Sequence, residues 1–316
     1  MAPPIAVVAV GGNSLLKSKE LKSVEDQYRA ICESMVSVAD LAERGYRLVV
    51  THGNGPQVGF IFRRAEIARA MAGMHMVPLV SCVADTQGAL GYQIQQALGN
   101  EFVKRGGVRN VATIVTQVLV DRDDPGFAAP DKPIGDFYEA DQIEELLVQE
   151  PDWTLVEDSG RGWRRVVPSP RPLGFPEIGA VRTLLNDGWH VVAVGGGGVP
   201  VVPGENGLEG VDAVVDKDLA SSLLGGELGA SLLVISTAVS EVRLNFGKPN
   251  ETRLGAVSAA EMRRFADEGH FARGSMLPKI EAALDFLARG GERVVITDPI
   301  HVAEAVAGEV GTHIIP

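Results

Sequence analysis

The stretch Arg47–Gln57, RLVVTHGNGPQ, contains a complete junction from a strand through a turn to a helix. Its first residues are aliphatic and β-branched, its middle holds two glycines, and Pro56 suits the first turn of a helix. The same order, an apolar run followed by glycines, occurs at Ile5–Asn13 and at His190–Gly198. These junctions predict an α/β protein whose mainly parallel sheet is covered by helices on both faces.

The rest of the chain continues this alternation of short apolar runs with longer helical stretches. We predict strands at Ile5–Val10, Arg47–Thr51, Val111–Val118, His190–Val194, Leu232–Ser236 and Arg293–Thr297. We predict helices at Ser23–Ala42, Gln57–Ala70, Thr86–Lys104, Glu139–Val148, Pro176–Asn186, Asp218–Leu228, Ser258–Phe265 and Pro278–Arg289.

One long segment, Asp121–Pro176, interrupts the alternation. It is rich in Asp, Pro, Gly, Trp and Arg, and its only recognisable core pattern is the short helix near Glu139. We interpret it as an insertion that projects from the sheet, either a lid or a small subdomain. An ordered surface excursion without function is the alternative, since long excursions are often but not always functional.

Composition excludes several classes of protein. The chain has 316 residues, 45% hydrophobic and 22% charged, with a net charge of -12 and no basic run that could follow a nucleic acid. Cys32 and Cys82 are the only cysteines, so a disulfide framework is not expected. The start of the chain shows no signal peptide, and no apolar stretch reaches the length of a membrane span. We therefore expect a cytoplasmic protein without a nucleic-acid or membrane partner.

The glycine turns are candidate anion sites. Backbone N–H groups at Gly53–Gly55 would point at an anion beside a helix N-terminus. Gly195–Gly198 follows a strand directly, and four consecutive glycines cost about 1 kcal/mol each relative to alanine, which favours a binding role. His52 is predicted to be structural. No Gly-x-Gly-x-x-Gly and no P-loop occurs at a strand end, so the usual dinucleotide and P-loop sites are excluded.

Three lysines lie in distinctive surroundings: Lys132 in DKPIG between two prolines, Lys217 in DKD at a helix start, and Lys279 in SMLPK at another. A lysine in the first turn opposes the helix dipole, so a local anion would explain the place of Lys279. Phosphoryl transfer needs placed positive charge more than covalent chemistry. The combination predicts a small-molecule kinase. For single residues the alternatives are structural: Asp218 could only cap its helix, and Lys132 could be an ordinary solvated lysine.

Seven motifs occur in one order: GGN at Gly11–Asn13, THGNGPQVG at Thr51–Gly59, VVPSP at Val166–Pro170, GGGGVPVV at Gly195–Val202, VDKDLA at Val215–Ala220, NFGKP at Asn245–Pro249 and GHFARGSMLPKIEA at Gly269–Ala282. In this order they resemble carbamate kinases, which have the amino acid kinase fold. The resemblance implies a three-layer αβα sandwich with an eight-stranded, mainly parallel sheet. It implies an N-terminal substrate lobe over residues 1–200, with a protruding subdomain at 121–176, and a C-terminal nucleotide lobe over 201–316.

The resemblance also implies roles for individual residues. Carbamate or carbamoyl phosphate would be surrounded by Gly11, Gly12, Asn13, Gly53, Asn54, Gly55, Gly196 and Gly197. Lys132, Lys217 and Lys279 would neutralise the transferred phosphoryl group, and Asp218 would orient the lysines. The nucleotide would be bordered by Asp216, Lys217, Thr237, Asn245, Gly274, Met276 and Lys279. The implied reaction is ATP + carbamate ⇌ ADP + carbamoyl phosphate with Mg²⁺, often run toward ATP, as in arginine metabolism, by a homodimer.

One feature separates carbamate kinases from several other amino acid kinases, and the chain departs from the usual pattern at two positions. Several amino acid kinases carry a lysine in the first strand, and here that strand has none, so Lys132 would take its role. Asp85 stands where an apolar residue is more usual, and Ala238 replaces an aspartate common in the wider fold; both are predicted to lie outside the lysine cluster. Two alternatives to a carbamate kinase are a kinase of the same fold acting on another small acid or phosphate, and a non-catalytic nucleotide- or anion-binding protein.

Overall fold

A computed structural model of the chain describes residues 3–11, 23–158, 162–272 and 274–316, without the side chain of residue 136. Gly12 and Asn13 lie outside the described residues. The strands are β1 Ile5–Val10, β2 Arg47–His52, β3 Val111–Thr113, β4 Gln117–Leu119, β5 Lys132–Tyr138, β6 Thr154–Glu157, β7 Trp163–Val167, β8 His190–Val192, β9 Val199–Gly204, β10 Gly207–Gly210, β11 Leu232–Ser236, β12 Arg243–Leu244, β13 Thr252–Arg253, β14 Ala256–Ser258, β15 Arg293–Thr297 and β16 Thr312–Ile315. The helices are α1 Val24–Glu43, α2 Gly55–Ala72, α3 Leu79–Lys104, α4 Pro125–Ala128, α5 Ile143–Gln149, α6 Ile178–Asn186, α7 Lys217–Leu228, α8 Ala259–Asp267, α9 Leu277–Ala288 and α10 Val302–Ala307.

The main sheet has eight strands in the order β14-β16-β15-β11-β1-β2-β8-β3. Its neighbours are parallel except for β15 and β16. Successive residues of β1 enter different cores: Val7 packs with Leu224 of α7, and Val8 packs with Ile31 of α1. Helices therefore cover both faces, and the predicted three-layer αβα sandwich is confirmed.

The predicted strands are confirmed, with two changes. Val111–Val118 divides into β3, which pairs with β8 in the main sheet, and β4, which pairs with β9 in a separate three-stranded sheet. The strand predicted at His190–Val194 ends at Val192. Val194 has the left-handed φ of 55°, which is strained for a β-branched residue and incompatible with a continuing strand.

The chain order of the strands reverses beside β1. Strands β2, β8 and β3 lie on one side of it and all precede residue 200, whereas β11, β15, β16 and β14 lie on the other side and follow residue 210. The crevice at the carboxyl ends beside such a switch point is where open α/β sheets bind ligands. Strands from before residue 200 and strands from after residue 210 thus form the two sides of one continuous sheet.

The segment Asp121–Pro176 contains a second small sheet of order β5-β7-β6, together with α5. The prediction that α5 carries the core pattern is wrong, because α5 has no buried residue. The strands supply the core instead: Ile134 of β5 and Val167 of β7 are buried in a cluster with Val58 and Phe62 of α2. The base of this protruding sheet is therefore packed on the body of the protein.

A search for membrane-spanning helices among the described residues finds none that is both sufficiently long and sufficiently apolar.

Candidate active site

The carboxyl ends of four strands meet at one edge of the main sheet. Gly11 follows β1, Gly53 follows β2, Gly196 lies after β8 and Thr237 follows β11. A cavity of about 450 Å³ opens there, between this edge, the first turns of α2, α7 and α9, and strand β5. This is the crevice that the switch point predicts.

The first turn of α7 is held by a carboxylate that has two tasks. Asp216 Oδ1 accepts hydrogen bonds from the backbone N–H groups of Asp218, at 2.9 Å, and Leu219, at 3.4 Å, and so caps the helix. Asp216 Oδ2 accepts from Lys132 Nζ at 2.9 Å. The alternative that Asp218 is the cap is therefore wrong, and the side chain of Asp218 is left for another role.

Asp218 holds two ammonium groups, one on each carboxylate oxygen. Its Oδ1 accepts from Lys217 Nζ, and its Oδ2 accepts from Lys279 Nζ at 2.8 Å. The side chains of Asp218, Lys217 and Lys279 are 4%, 12% and 17% exposed. Lysines from two different helices are thereby fixed at one point, which is the geometry that the predicted orienting role requires.

Burial and charge act against each other in this cluster. Burial alone would raise the pKa of Asp218, but the charges and hydrogen bonds of Lys217 and Lys279 outweigh it and lower the pKa to about 2. Burial lowers the pKa of Lys217, opposed by Asp218 and reinforced by repulsion from Lys279. Two ammonium groups share one carboxylate here, so an anionic ligand would relieve their repulsion.

Lys132 enters the cavity from the protruding sheet. It is the first residue of β5, where it pairs in register with Val167 of β7. Its side chain is 37% exposed and contacts Asp216 rather than Asp218. Among the described lining residues, three ammonium groups therefore face two carboxylates, which leaves one positive charge for an anion.

The glycine run at Gly195–Gly198 is required by packing. A Cβ at Gly196 would lie 2.2 Å from Asn54 Nδ2, and one at Gly197 would lie 2.2 Å from Val215 O. Residues 196, 197 and 198 also have positive φ. The N–H groups of Gly197 and Gly198 donate to Val194 O and Gly195 O within the turn, so these two amides are already used. Close approach of backbone thus explains much of the run that we attributed to anion binding.

Two buried polar contacts fix the turn after β2. Asn54 Nδ2 donates to Thr86 Oγ1 of α3 at 2.8 Å. At the end of β2, Thr51 Oγ1 lies 2.7 Å from Ser221 Oγ, which in turn donates to Lys217 O at 2.6 Å. Two hydroxyl groups therefore link the end of β2 to α7, and the glycine turn that follows β2 is tied to α3.

Most of the predicted site residues line this single cavity: Gly11, Gly53, Asn54, Gly55, Lys132, Gly196, Asp216, Lys217, Asp218, Thr237, Gly274 and Lys279. Gly197, Asn245 and Met276 are described but lie outside its lining. Met276 packs against the hydrophobic core, and Asn245 directly follows the end of β12. Ala238 lines the cavity after all, whereas Asp85 is exposed on α3.

Sequence reasoning missed the apolar part of the wall. Val58, Ile134 and Val214 line the cavity and also pack together in one hydrophobic cluster. They come from α2, β5 and the segment before α7, so only the folded chain brings them together. In the sequence they are aliphatic residues of three separate segments, and no periodicity marks them as parts of one wall.

Comparison with known proteins agrees with this architecture. A family model described as the amino acid kinase family matches residues 4–298. The chain belongs to the amino acid kinase family. Within this family, it is 50% identical to the carbamate kinase-like protein YahI of Escherichia coli and 44% identical to a carbamate kinase of Thermococcus kodakarensis, each over 98% of both chains. A solved carbamate kinase from Giardia lamblia bound to AMP-PNP superposes with a TM-score of 0.92 at 39% identity, covering 99% of both chains.

The site of this amino acid kinase lacks a free general base among its described lining residues. The titratable side chains there are three lysines and two aspartates. Both oxygens of Asp218 accept from ammonium groups, and both oxygens of Asp216 accept from the α7 backbone or from Lys132. An alcohol acceptor would need a base to remove its proton. The site therefore suits a phosphoryl acceptor that is already an anion.

His52 lies beside this site and makes stability depend on pH. It is 1% exposed, its Nδ1–H donates to Gly53 O at 3.1 Å, and burial lowers its pKa from the usual 6.5 to about 4. Because the unfolded chain binds the proton more readily, stability is complete above about pH 6.5 and falls as pH drops toward 4. We expect a loss of about 3 kcal/mol from this group. Urea unfolding should show that the free energy of unfolding falls less between pH 7 and pH 4.5 in His52→Asn, which keeps the hydrogen-bond donor, than in the wild type. An equal fall in both proteins would refute the assignment.

Proposed function

We propose that this protein transfers a phosphoryl group reversibly between ATP and carbamate, forming ADP and carbamoyl phosphate. The observation that supports this proposal is the convergence of Lys132, Lys217 and Lys279 on one cavity beside the glycine turns. The comparisons support the same reaction, since several relatives at 42–50% identity over nearly their whole length are named carbamate kinases or carbamate kinase-like.

The proposed reaction needs no proton transfer. In the ATP-forming direction, a β-phosphate oxygen of ADP attacks the phosphorus of carbamoyl phosphate. The bond from phosphorus to the carbamoyl oxygen breaks, and carbamate leaves as an anion. Lys217 and Lys279 would balance the charge on the equatorial oxygens, and Lys132 would approach from the opposite wall. A site rich in ammonium groups and without a free base is suited to this reaction.

Mg²⁺ would arrive with the nucleotide. Among the described residues, no group of three carboxylate, histidine or cysteine side chains could enclose a metal ion. Mg²⁺ in kinases is commonly held by substrate phosphates with one or two carboxylates and water. The residues therefore fit an ion that comes with the nucleotide: Asp216, a lining carboxylate, would help to hold it, and the ion would supply positive charge to the phosphates.

A coupled assay of ATP formation from ADP and carbamoyl phosphate tests the proposal, with acetyl phosphate as the control donor. Carbamoyl phosphate should be the preferred donor. Equal or greater use of acetyl phosphate would favour the second candidate, a kinase of the same fold for another small acid. That candidate has one specific observation in its favour, because the relative at 50% identity is named carbamate kinase-like. Binding of ADP without turnover of either donor would favour a non-catalytic protein.

The two ligands should respond separately to changes at Gly55. This glycine lines the cavity in the first turn of α2, and an added Cβ would meet no atom within 4 Å. Gly55→Val should therefore fold normally and project into the substrate half, weakening carbamoyl phosphate binding by about tenfold or more through blocked backbone approach. ADP affinity should stay within about twofold. Calorimetry measures both affinities. The control is Gly179→Val, at an equally open glycine in the first turn of α6, which should change neither affinity. Equal losses of affinity for both ligands in Gly55→Val would contradict the division into lobes.

The resemblance also supports a homodimer. Helix α3 presents Gly88, Ala89, Tyr92 and Gln96 as one exposed stripe, and the adjacent β3 is an edge strand of the main sheet. Tyr92 is 58% exposed, so this stripe presents a large aromatic ring to solvent. Light scattering at micromolar concentration should give twice the chain mass, and Tyr92→Glu should shift the mass toward the monomer.

A further inference from the structure

The segment Asp212–Asp216 leads into α7 and is held by the protruding sheet at every second residue. Arg165 Nη2 contacts Asp212 Oδ2 at 3.3 Å, Val214 N–H donates to Pro168 O at 2.9 Å, and Lys132 Nζ contacts Asp216 Oδ2 at 2.9 Å. We call these six residues the docking seam. Because Asp216 also caps α7, the seam connects the protruding sheet directly to the turn that carries Lys217.

Arg165 is the seam residue with the most elaborate surroundings. Its guanidinium carbon lies 4.6 Å from the ring centre of Trp153 in the protruding segment and 5.6 Å from that of Phe62 in α2. Its side chain is only 12% exposed, whereas that of Asp212 is 59% exposed. A planar guanidinium can stack on rings and pair with a carboxylate at once, which lysine cannot do. Arg165 thus joins α2, the protruding sheet and the seam.

The strand register relates Arg165 to the cavity. Arg165 is paired with Ile134 and Val167 is paired with Lys132, so the arginine lies one same-face step along the ladder from the lysine. Ile134 lines the cavity, and Val167 anchors the base of the sheet in the cluster on α2. A shift of Arg165 would therefore move β5 and, with it, the point from which Lys132 enters the site.

We infer that Arg165 is a positioning residue that sets the place of Lys132 relative to Lys217 through the docking seam. The inference rests on the proposed phosphoryl transfer, in which both lysines act on one group. The Arg165–Asp212 ion pair, whose carboxylate side chain is 59% exposed, adds little to stability. Misplacing a catalytic group by about 1 Å can nevertheless cost up to about 10²-fold in rate. The contribution of Arg165 should accordingly be visible in turnover.

The test is a double-mutant cycle on the full-length protein. Arg165→Ala should lower kcat for ATP formation by about tenfold while the Kd for ADP stays within about twofold. In a Lys132→Ala background, the same change should lower kcat by less than about twofold, because Arg165 acts through the lysine that is missing. Arg122→Ala removes another exposed ion pair of this segment, with Glu209, and should leave kcat unchanged. A kcat for Arg165→Ala within twofold of wild type, or an equal loss in both backgrounds, would overturn the inference.

Two further variants keep the test decisive if Arg165→Ala folds poorly. Asp212→Asn removes the ion pair at an exposed position and should lower kcat by about threefold, again only when Lys132 is present. Arg165→Lys keeps the charge but loses the stacking on the rings, and its kcat should lie between those of wild type and Arg165→Ala. No loss in Asp212→Asn together with full activity in Arg165→Lys would refute the role.

A readout that does not depend on turnover separates this inference from the proposed function. Hydrogen exchange of the unliganded protein should be at least about fivefold faster in β5 and in the first turn of α7 for Arg165→Ala, and unchanged for Arg122→Ala. If wild-type protein makes no ATP from carbamoyl phosphate but this exchange pattern appears, the proposed function fails and the seam stands. Unchanged hydrogen exchange in Arg165→Ala, in an enzyme that makes ATP, would instead refute the role of the docking seam and retain the proposed function.

Discussion

Replacement of Lys217 by alanine is expected to lower kcat by about 10²–10³, the scale of losing one placed charge-stabilising group. The side chain is 12% exposed and its ammonium group is fixed on Asp218 Oδ1, so its charge is held at one point of the cavity. Steady-state kinetics in the ATP-forming direction measures the loss. We expect it mainly in kcat, because the charge that Lys217 balances is greatest in the transition state.

The fold of the Lys217→Ala variant should survive. Asp218 keeps its contact with Lys279 at 2.8 Å, so the buried carboxylate is not left without a partner. Lys104→Ala at the exposed end of α3, with a side chain 74% exposed, is the matched control and should change neither kcat nor the free energy of unfolding appreciably. Turnover near that of wild type in Lys217→Ala would remove this lysine from the catalytic set.

Much of the fold could be predicted because its central strands are buried on both faces. Strands such as β1 and β11 are continuous runs of aliphatic residues, and runs of this kind leave few alternatives. The protruding sheet gave no such signal. Its strands are half-exposed. Strands β5 and β7 contribute one residue each, Ile134 and Val167, and β6 contributes none to a buried cluster whose other members lie on α2 and α3. When a core is assembled from single residues of distant segments, the apolar residues show no regular spacing along the sequence.

The candidate site shows the same division between local and distant information. The neighbouring positions of Lys217 and Asp218 indicated a charge cluster, and glycines after strands indicated the sheet edge. The contact between Lys279 and Asp218 spans 61 residues, and the contact between Lys132 and Asp216 spans 84, so no spacing could reveal which carboxylate holds which lysine. The glycine run was attributed to binding because the approach of Asn54 and Val215 to its backbone exists only in the folded chain.

Lys132→Ala is the variant that tests whether the protruding segment takes part in the chemistry. Among the described residues that line the cavity, Lys132 is the lysine that comes from outside the two halves of the main sheet. Its side chain is 37% exposed and, among the residues that the structure describes, is paired with Asp216 alone, so it can turn toward an incoming phosphoryl group at little cost. We expect kcat to fall by about 10² while the Kd for ADP changes by less than about threefold.

The stability of Lys132→Ala should hardly change, because a pair of this exposure contributes at most about 1 kcal/mol. Asp216 keeps its capping bonds to α7 and gains access to water. A drop in activity without a drop in unfolding free energy would therefore assign the loss to the missing charge. Full activity, together with equal hydrogen-exchange protection of residues 121–158 and 162–176 with and without ligands, would reduce this segment to scaffolding. Loss of turnover, together with faster hydrogen exchange in the outer strand β6 than in the base around Ile134, would instead show that the base is fixed and that Lys132 completes the site. We expect this difference in exchange because the base packs in a hydrophobic cluster, whereas β6 has no buried residue.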